Sequence, residues 1–331
     1  MNNISAKKII TNTLWIILSI IFSLCLGEVL LRIIWPQPLY SFEKGLFINS
    51  KEYGYCLASL VERNHRQPEY HYKIKSNSYG FRGSEPNFNA KFRILILGDS
   101  FGMGQGVGGG KNFCELSQSY FDKQGMDTNI FNTSIGGYCG INEVKVLKRF
   151  IDDYKPNLVI LLFSRNDIGP IRSLVVQNGY LVLNMENNKL FALREWLNNH
   201  SHLYCLIKRF YYGTKHQESI KKGISVTAGA LGIKNAVGYV LEMKKICDAY
   251  KVPFTVVICP LAGSHKDTLG DMFNRNINDN SVYFVDWASF LPKQNKERLF
   301  YKIDGHLTEE GNAYFSKYLN QLILTEINKN N

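Results

Sequence analysis

The sequence predicts an α/β domain built on a parallel sheet with helices on both faces, preceded by one N-terminal membrane-spanning helix. Short apolar runs alternate along the chain with segments of helical periodicity, which is the pattern of strands buried on both faces of a sheet. The first 35 residues are a different kind of sequence, apolar and almost uncharged. Of 331 residues, 45% are hydrophobic and 20% are charged, and the mean hydropathy is −0.16. This balance excludes wholesale disorder and a polytopic membrane protein.

The N-terminal segment is predicted to be a transmembrane anchor over residues 9–35. No charged residue lies between Ile9 and Gly27, and a helix of this length spans roughly 30 Å of hydrocarbon. Lys7 and Lys8 precede the apolar run, which favours a cytoplasmic tail of residues 1–8 and a periplasmic or extracellular position for the rest of the chain. A cleaved signal peptide and a buried core helix are the alternatives, but no small-x-small cleavage pattern ends the run.

Two further regions precede or interrupt the main domain, which is predicted over residues 91–331. Residues 36–90 are rich in Tyr, Pro, Asn and Lys and are predicted to be a membrane-proximal segment that wraps onto the main domain. The strand and helix rhythm breaks at about residues 168–234, which we interpret as an insertion near the site. One helix, Leu193–Tyr211, is predicted within it.

The elements of the main domain follow from apolar runs for strands and from one-sided apolar spacing for helices. The second predicted helix, for example, carries Val144, Leu147 and Ile151 on one face. The predicted strands are Arg93–Leu97, Thr128–Ile135, Leu158–Phe163, Phe254–Cys259 and Val282–Val285. The predicted helices are Lys111–Gly125, Ile141–Tyr154, Asn235–Tyr250 and Thr308–Ile327, the last with Thr308 as its N-cap.

Polar residues and glycines follow the predicted strands where each one ends. Ser100 follows the first strand, the pair Gly136–Gly137 the second and Asn166 the third, while Asp304 and His306 precede the last helix. In such sheets the site lies beyond the carboxyl ends of the strands. Acyl transfer through a serine needs a base, a partner that orients the base, and donors for the oxyanion. These residue types supply all three.

The four sequence blocks resemble those of the SGNH (GDSL-type) hydrolase superfamily, in the same order and over roughly residues 91–325. The blocks are Gly98-Asp99-Ser100, Gly137, Asn166 and Asp304/His306. The resemblance implies a flavodoxin-like three-layer α/β/α sandwich with a central parallel five-stranded sheet. It also implies hydrolysis or transfer of acyl esters without a cofactor.

Site roles carried over from this resemblance fall on five residues. Ser100 would be the nucleophile, His306 the general base and Asp304 the residue that orients the base. The oxyanion donors would be the backbone N–H groups of Ser100 and Gly137 and the side-chain amide of Asn166. Either Gly136 or Gly137 could let the backbone approach a ligand, and the resemblance favours Gly137.

Two departures from the family pattern bear on the reaction. Ser164 stands where the third block usually has Gly, and Asp304 and His306 are separated by one residue instead of two. The shorter spacing resembles SGNH-like proteins that O-acetylate exported polysaccharide. The anchor and the stretch Asn77–Arg82 resemble membrane-anchored bacterial members associated with surface polysaccharides. The first hypothesis is therefore an esterase acting on O-acyl groups of carbohydrate or on a small ester. The alternatives are an O-acyltransferase with the same residues and a non-catalytic glycan-assembly or binding protein.

The glycine-rich run from Gly102 to Gly110 is a candidate nucleotide loop that fails on position. Gly104, Gly106 and Gly109 satisfy GxGxxG, but the pattern begins six residues past Gly98, too late for a tight strand-to-helix turn. The P-loop pattern is also not met. We interpret the run as a flexible rim that lets the acyl substrate approach the serine.

The charge and the cysteine spacing argue against nucleic-acid and metal partners. The net charge is +11, yet no RNP-like or zinc-finger pattern accompanies it, so nucleic acid is disfavoured. Attraction to anionic glycans or lipid headgroups and a merely solvated basic surface both remain open. No CxxC or His/Cys pattern has zinc spacing, so no metal site is predicted. Six cysteines outside the anchor leave disulfides open in an exported domain.

Overall fold

A computed structural model describes residues 6–37, 39, 41–168, 174–183, 190–221, 230–260, 277 and 282–330. The chain forms two compact units. The first comprises the described residues within Met1–Ser41, Arg66–Pro68 and Glu186–Ser225. The second comprises those within Phe42–His65, Glu69–Met185 and Val226–Asn331. Residues 1–5 of the predicted tail, and residues 169–173, 184–189 and 222–229 of the predicted insertion, lie outside the described ranges.

The described residues form helices and strands with the following bounds. The helices are α1 (Ala6–Ile34), α2 (Ser100–Met103), α3 (Phe113–Lys123), α4 (Gly140–Tyr154), α5 (Phe191–His200), α6 (His202–Lys221), α7 (Ala230–Ala249) and α8 (Glu309–Asn330). The strands are β1 (Ser41–Phe42), β2 (Phe47–Ser50), β3 (Gly54–Leu57), β4 (Glu62–Gln67), β5 (Tyr70–Lys75), β6 (Phe92–Gly98), β7 (Thr128–Asn132), β8 (Leu158–Phe163), β9 (Leu174–Gln177), β10 (Tyr180–Leu183), β11 (Phe254–Ile258) and β12 (Tyr283–Asp286).

The second unit is built on a five-stranded sheet in the order β12-β11-β8-β6-β7. All four strand pairs are parallel, with Leu95 opposite both Phe131 and Val159 in the register. In chain order this arrangement is 2-1-3-4-5, the flavodoxin-like order, whose switch point lies between the first and third strands. The predicted fold class is therefore confirmed.

Helices cover both faces of this sheet because alternate residues of each strand point to opposite sides. Leu95 and Leu97 of β6 belong to a core that includes apolar residues of α4 and α7. Ile94 and Ile96 belong to a second core, which includes apolar residues of α3 and α8. The resulting three layers leave the carboxyl ends of the strands as the place where loops meet.

Several predicted boundaries differ from the observed ones. Strand β7 ends at Asn132 instead of Ile135, and α7 begins at Ala230 instead of Asn235. Helix α8 begins directly after Thr308, whose hydroxyl accepts a hydrogen bond from the Gly311 N–H at 3.2 Å, as expected of an N-cap.

Residues 41–90 supply five short strands and part of the main core. Strand β2 pairs antiparallel with β3, and β5 buries every second side chain. Tyr70, Tyr72 and Ile74 are thereby buried with Phe81 in the same core as α4. The aromatic composition of this segment thus reflects packing within the second unit.

In the first unit, α1 contacts the junction of α5 and α6. Of the helices in the described ranges, Lys8–Ile34 alone is long and apolar enough to cross a membrane. The prediction of one continuous helix over Leu193–Tyr211 is wrong, because Ser201 separates two helices, α5 and α6. The Ser201 hydroxyl donates to the carboxylate of Glu28 in α1 at 2.8 Å, which stabilises the break.

Candidate active site

Ser100 stands at the start of a sharp strand-to-helix turn at the switch point of the sheet. Strand β6 ends at Gly98, and the Asp99 side chain caps α2 by accepting a hydrogen bond from the Phe101 N–H at 2.8 Å. Helix α2 ends after one turn at Gly104, which has a left-handed φ of 74°. This turn presents the Ser100 side chain at the carboxyl edge of the sheet.

The loop before α8 brings Asp304 and His306 to the same edge. Gly305 has a φ of 84°, a conformation that favours glycine, and its N–H donates to the Tyr301 carbonyl at 3.0 Å. Nδ1 of His306 lies 2.5 Å from Oδ2 of Asp304, and Nε2 of His306 lies 2.7 Å from Oγ of Ser100. The turn at Gly305 therefore allows an Asp-x-His sequence to place both imidazole nitrogens against partners.

The surroundings of Asp304 favour its ionised form. Burial opposes ionisation, but the hydrogen bond from His306, the charge of that ring and a hydrogen bond from Tyr70 outweigh it, so the pKa of Asp304 is lowered from its usual value. An ionised Asp304 accepts the Nδ1–H of His306. This leaves Nε2 as the acceptor facing the Ser100 hydroxyl.

Glu69 holds the loop that carries Asp304, and the sequence analysis did not identify it. Its carboxylate accepts hydrogen bonds from the backbone N–H groups of Lys302, Ile303 and Asp304, each at 2.8 Å. Oε1 takes the first of these and Oε2 the other two. Glu69 lies just before β5, more than 230 residues away from Lys302 in the sequence, so no local motif indicates this contact.

The glycine pair after β7 approaches Ser100 and is held from both sides. A Cβ built on Gly136 would lie 3.8 Å from the Cβ of Ser100. The Gly136 N–H donates to the sulfur of Met103 at 3.3 Å, and its carbonyl accepts from the Tyr55 hydroxyl at 3.1 Å. Gly137 has a φ of 86°, which disfavours any residue with a side chain.

The third sequence block ties the end of β8 to the end of β6. The Ser164 hydroxyl donates to Oδ2 of Asp99 at 2.7 Å, and the Ser164 N–H donates to Oδ2 of Asp167 at 2.7 Å. The serine that replaces the usual glycine thus connects two strand ends. Asn166 lies in a 3₁₀ turn, Arg165–Ile168, and its side chain is outside the described part of the structure.

Three carboxyl groups lie buried behind this edge of the sheet: those of Asp99, Asp167 and Glu143. Burial, together with the charges of the two aspartates, raises the pKa of Glu143 well above its usual value. Burial and the charge of Asp99 do the same to Asp167. Because like charges at this depth repel one another, the folded state binds protons at this cluster more tightly than the unfolded chain does.

The glycine-rich run, predicted from the sequence to be a flexible rim, is held by hydrogen bonds from one buried side chain. The guanidinium of Arg82, with a side chain only 2% exposed, donates to the carbonyls of Gly104, Val107 and Gly108 at 2.7–2.8 Å. Arg82 also pairs with Glu115 of α3 at 3.4 Å. The Asn77–Arg82 stretch noted in the sequence therefore anchors the loop that follows the Ser100 turn.

The described ranges contain neither a candidate metal site nor a disulfide bond. There, no three His, Cys, Asp or Glu side chains are grouped so as to hold a metal ion. The seven cysteines, all in described ranges, are free thiols.

The chain is similar to solved structures of ester hydrolases, at low identity. No family model and no curated protein sequence matches it. A GDSL-like lipase from Bacteroides thetaiotaomicron is 13% identical over 73% of this chain and 92% of that one, with a TM-score of 0.40. The psychrotrophic esterase EstA from Pseudoalteromonas sp. is 13% identical over 72% and 99%, with a TM-score of 0.38. The acetyl xylan esterase AlAXEase is 13% identical over 70% and 99%, with a TM-score of 0.41.

Proposed function

We propose that this protein is a membrane-anchored serine ester hydrolase that removes O-acyl groups, with acetylated carbohydrate as its substrate class. One observation carries the proposal: the imidazole of His306 lies within hydrogen-bonding distance of both the Ser100 hydroxyl and the Asp304 carboxylate. A serine hydroxyl is a weak nucleophile, and an adjacent oriented base is what activates it.

Acylation begins with attack of Ser100 Oγ on the ester carbonyl carbon. His306 Nε2 takes the hydroxyl proton as the new C–O bond forms, and Asp304 stabilises the imidazolium through Nδ1–H. The tetrahedral intermediate then collapses, the bond to the leaving alcohol breaks, and His306 returns its proton to that alcohol. The acyl group remains on Ser100.

The developing oxyanion is assigned to three donors: the backbone N–H groups of Ser100 and Gly137 and the side-chain amide of Asn166. Because the Gly136 N–H already donates to the Met103 sulfur, the neighbouring Gly137 is the better candidate. Loss of one such donor typically costs about 10²–10³ in kcat.

Deacylation repeats the same chemistry with water. His306 takes a proton from the water, the hydroxide oxygen bonds to the acyl carbon, and Ser100 leaves with the proton from His306. A sugar hydroxyl in place of water would give transfer instead of hydrolysis.

The substrate class and location rest on the sequence. The Asp304-x-His306 spacing and the Asn77–Arg82 stretch resemble members that act on exported polysaccharide. Lys7 and Lys8, in the first turn of α1, favour an N-terminus in the cytoplasm, and we infer from this that the hydrolase unit lies outside it.

The test uses the full chain in lipid vesicles with an activated acetyl ester, p-nitrophenyl acetate. Ser100→Ala should lower kcat by roughly 10³-fold or more, because it removes the nucleophile. Ser119→Ala, which removes an exposed hydroxyl on α3, serves as the matched control and should keep wild-type activity. Full activity in Ser100→Ala contradicts the mechanism.

A second arm separates hydrolysis from transfer. The same reaction is run with an oligosaccharide acceptor, and the products are analysed by mass spectrometry. Free acetate in the presence of acceptor supports hydrolysis. Acetylated oligosaccharide that requires Ser100 assigns the transferase alternative.

A further inference from the structure

We propose that α5 and α6 lie on the outer surface of the membrane crossed by α1 and contact an anionic lipid bilayer through an exposed apolar face. This inference rests on the proposed anchoring of the protein by α1. It adds a second, peripheral membrane contact of defined residues.

Helix α1 is joined to these helices by hydrogen bonds at one point along its length. The Glu28 carboxylate accepts from the backbone N–H groups of His202 and Leu203, each at 2.9 Å, at the start of α6. Arg32, one turn further along α1, donates to the carbonyl of His200 at the end of α5 at 2.6 Å. The junction of α5 and α6 is therefore held at the level of Glu28 and Arg32.

That level coincides with the membrane surface. The uncharged stretch Ile9–Gly27 has 19 residues, which at about 1.5 Å per residue cover about 28 Å. This length matches the hydrocarbon thickness of a bilayer, so the next residue, Glu28, falls at the boundary with the headgroups. A junction hydrogen-bonded to Glu28 lies at the same depth.

Both helices expose large apolar side chains at helical spacing. On α5, Leu193 and Trp196 are 52% and 56% exposed, and on α6, Ile207 and Phe210 are 58% and 64% exposed. Residues three apart lie on one face of a helix. Tryptophan is enriched at membrane interfaces. Interfacial helices bury apolar faces of this kind at the boundary between the lipid headgroups and the acyl chains.

The charge of this segment suits an anionic surface. Residues 190–221 contain five Lys or Arg residues and two Glu residues. Basic residues near an anionic bilayer are attracted to its surface. The position at the end of the span and the basic surplus together favour lipid over a protein partner or a second copy of this chain.

The experiment measures how deeply individual tryptophans lie in vesicles that hold the full chain. Vesicles of phosphatidylcholine and phosphatidylglycerol carry a doxyl quencher either near the headgroup or near the end of the acyl chain. Subtracting the emission of Trp196→Phe from that of the wild type isolates Trp196, and Trp15→Phe isolates Trp15 of α1 in the same way. Trp15, well inside the uncharged stretch, reports on the anchor alone.

We expect the shallow quencher to reduce Trp196 emission more than the deep one, with the order reversed for Trp15. Ile207→Asp should abolish quenching of Trp196 and leave that of Trp15 intact. Leu60→Asp, at an exposed leucine of the second unit, is the matched control and should change neither. Quenching of Trp15 without quenching of Trp196 overturns this inference, including the case in which a protein covers the face. Loss of quenching at Trp15 instead overturns the anchor on which it rests.

Discussion

Replacing Glu69 by Gln tests whether the loop carrying Asp304 must be held for catalysis. The carboxylate accepts three backbone hydrogen bonds from Lys302, Ile303 and Asp304. A glutamine has one acceptor oxygen, which can retain the two bonds made by Oε2. Its NH₂ group then faces the Lys302 N–H, so one hydrogen bond is lost and two donors face each other.

The magnitude follows from the strength of these bonds. A hydrogen bond to a charged group contributes about 1.5–3 kcal/mol, and a neutral one about 1 kcal/mol. Because the bonds from Lys302 and Ile303 are exposed to water, we take the total loss for Glu69→Gln as about 2 kcal/mol. If this free energy holds the loop in its active arrangement, kcat/KM falls about 30-fold.

The assay is kcat/KM with p-nitrophenyl acetate, together with urea unfolding to report on global stability. Glu62→Gln is the matched control, since Glu62 makes an exposed ion pair with Lys73, and it should remain within about twofold of wild type. A Glu69→Gln enzyme that keeps wild-type kcat/KM at unchanged stability would refute the reasoning. A loss of stability with no loss of kcat/KM per folded molecule would refute it equally.

Three further predictions concern stability measured by urea unfolding. Because the folded-state pKa of Asp304 is lowered, its carboxylate stabilises the fold above the usual aspartate pKa, and this contribution disappears as pH falls through the lower value. When the pH is lowered from neutral to below about 4, the free energy of unfolding should therefore fall less for Asp304→Asn than for the wild type. An equal fall in both proteins would argue against an ionised Asp304. Arg82→Ala leaves three carbonyls without their buried donor and should lower the free energy of unfolding by about 3–5 kcal/mol. A change under about 1 kcal/mol would contradict the stabilising role of Arg82 in the glycine-rich run. A Cβ on Gly102 would lie 2.3 Å from Oγ of Ser134, so Gly102→Ala should destabilise strongly, and adding Ser134→Gly should recover part of the loss. Simple additivity of the two substitutions would rule out that clash.

The strands that carry long apolar runs were predictable from the sequence. Strand β8 was predicted with the bounds observed, because six consecutive apolar residues are typical of a strand buried on both faces. Strand β7 ends three residues early because Asn132 turns the chain. Its side chain accepts from the Ser134 N–H and donates to the Gly102 carbonyl, a contact 30 residues distant in sequence.

Other elements depend on contacts that no local pattern records. The break between α5 and α6 depends on Glu28, more than 170 residues away. Strand β5 did carry a signal, the alternation of Tyr70, Tyr72 and Ile74, which a search for long apolar runs overlooks.

The site divides in the same way. Ser100, Asp304 and His306 were candidates from the sequence because reactive residue types stand at a predicted strand end and before the last predicted helix. Glu69 and Arg82 position loops through backbone groups, and any carboxylate or guanidinium in the right place could do so. Their residue types carry no information about such a role until the fold brings the partners together.

The three buried carboxyls behind the strand ends link assembly of the protein to the acidity of its surroundings. Because burial and neighbouring carboxyl charges raise the pKa values of Glu143 and Asp167, the folded chain binds protons at these groups more tightly than an extended chain does. Folding therefore consumes protons, and this contribution to stability is complete in acid and declines as the medium becomes alkaline. At these two groups acid therefore favours the folded chain, opposite in sign to the contribution of Asp304, so the two carboxyl sites pull the pH of greatest stability in opposite directions.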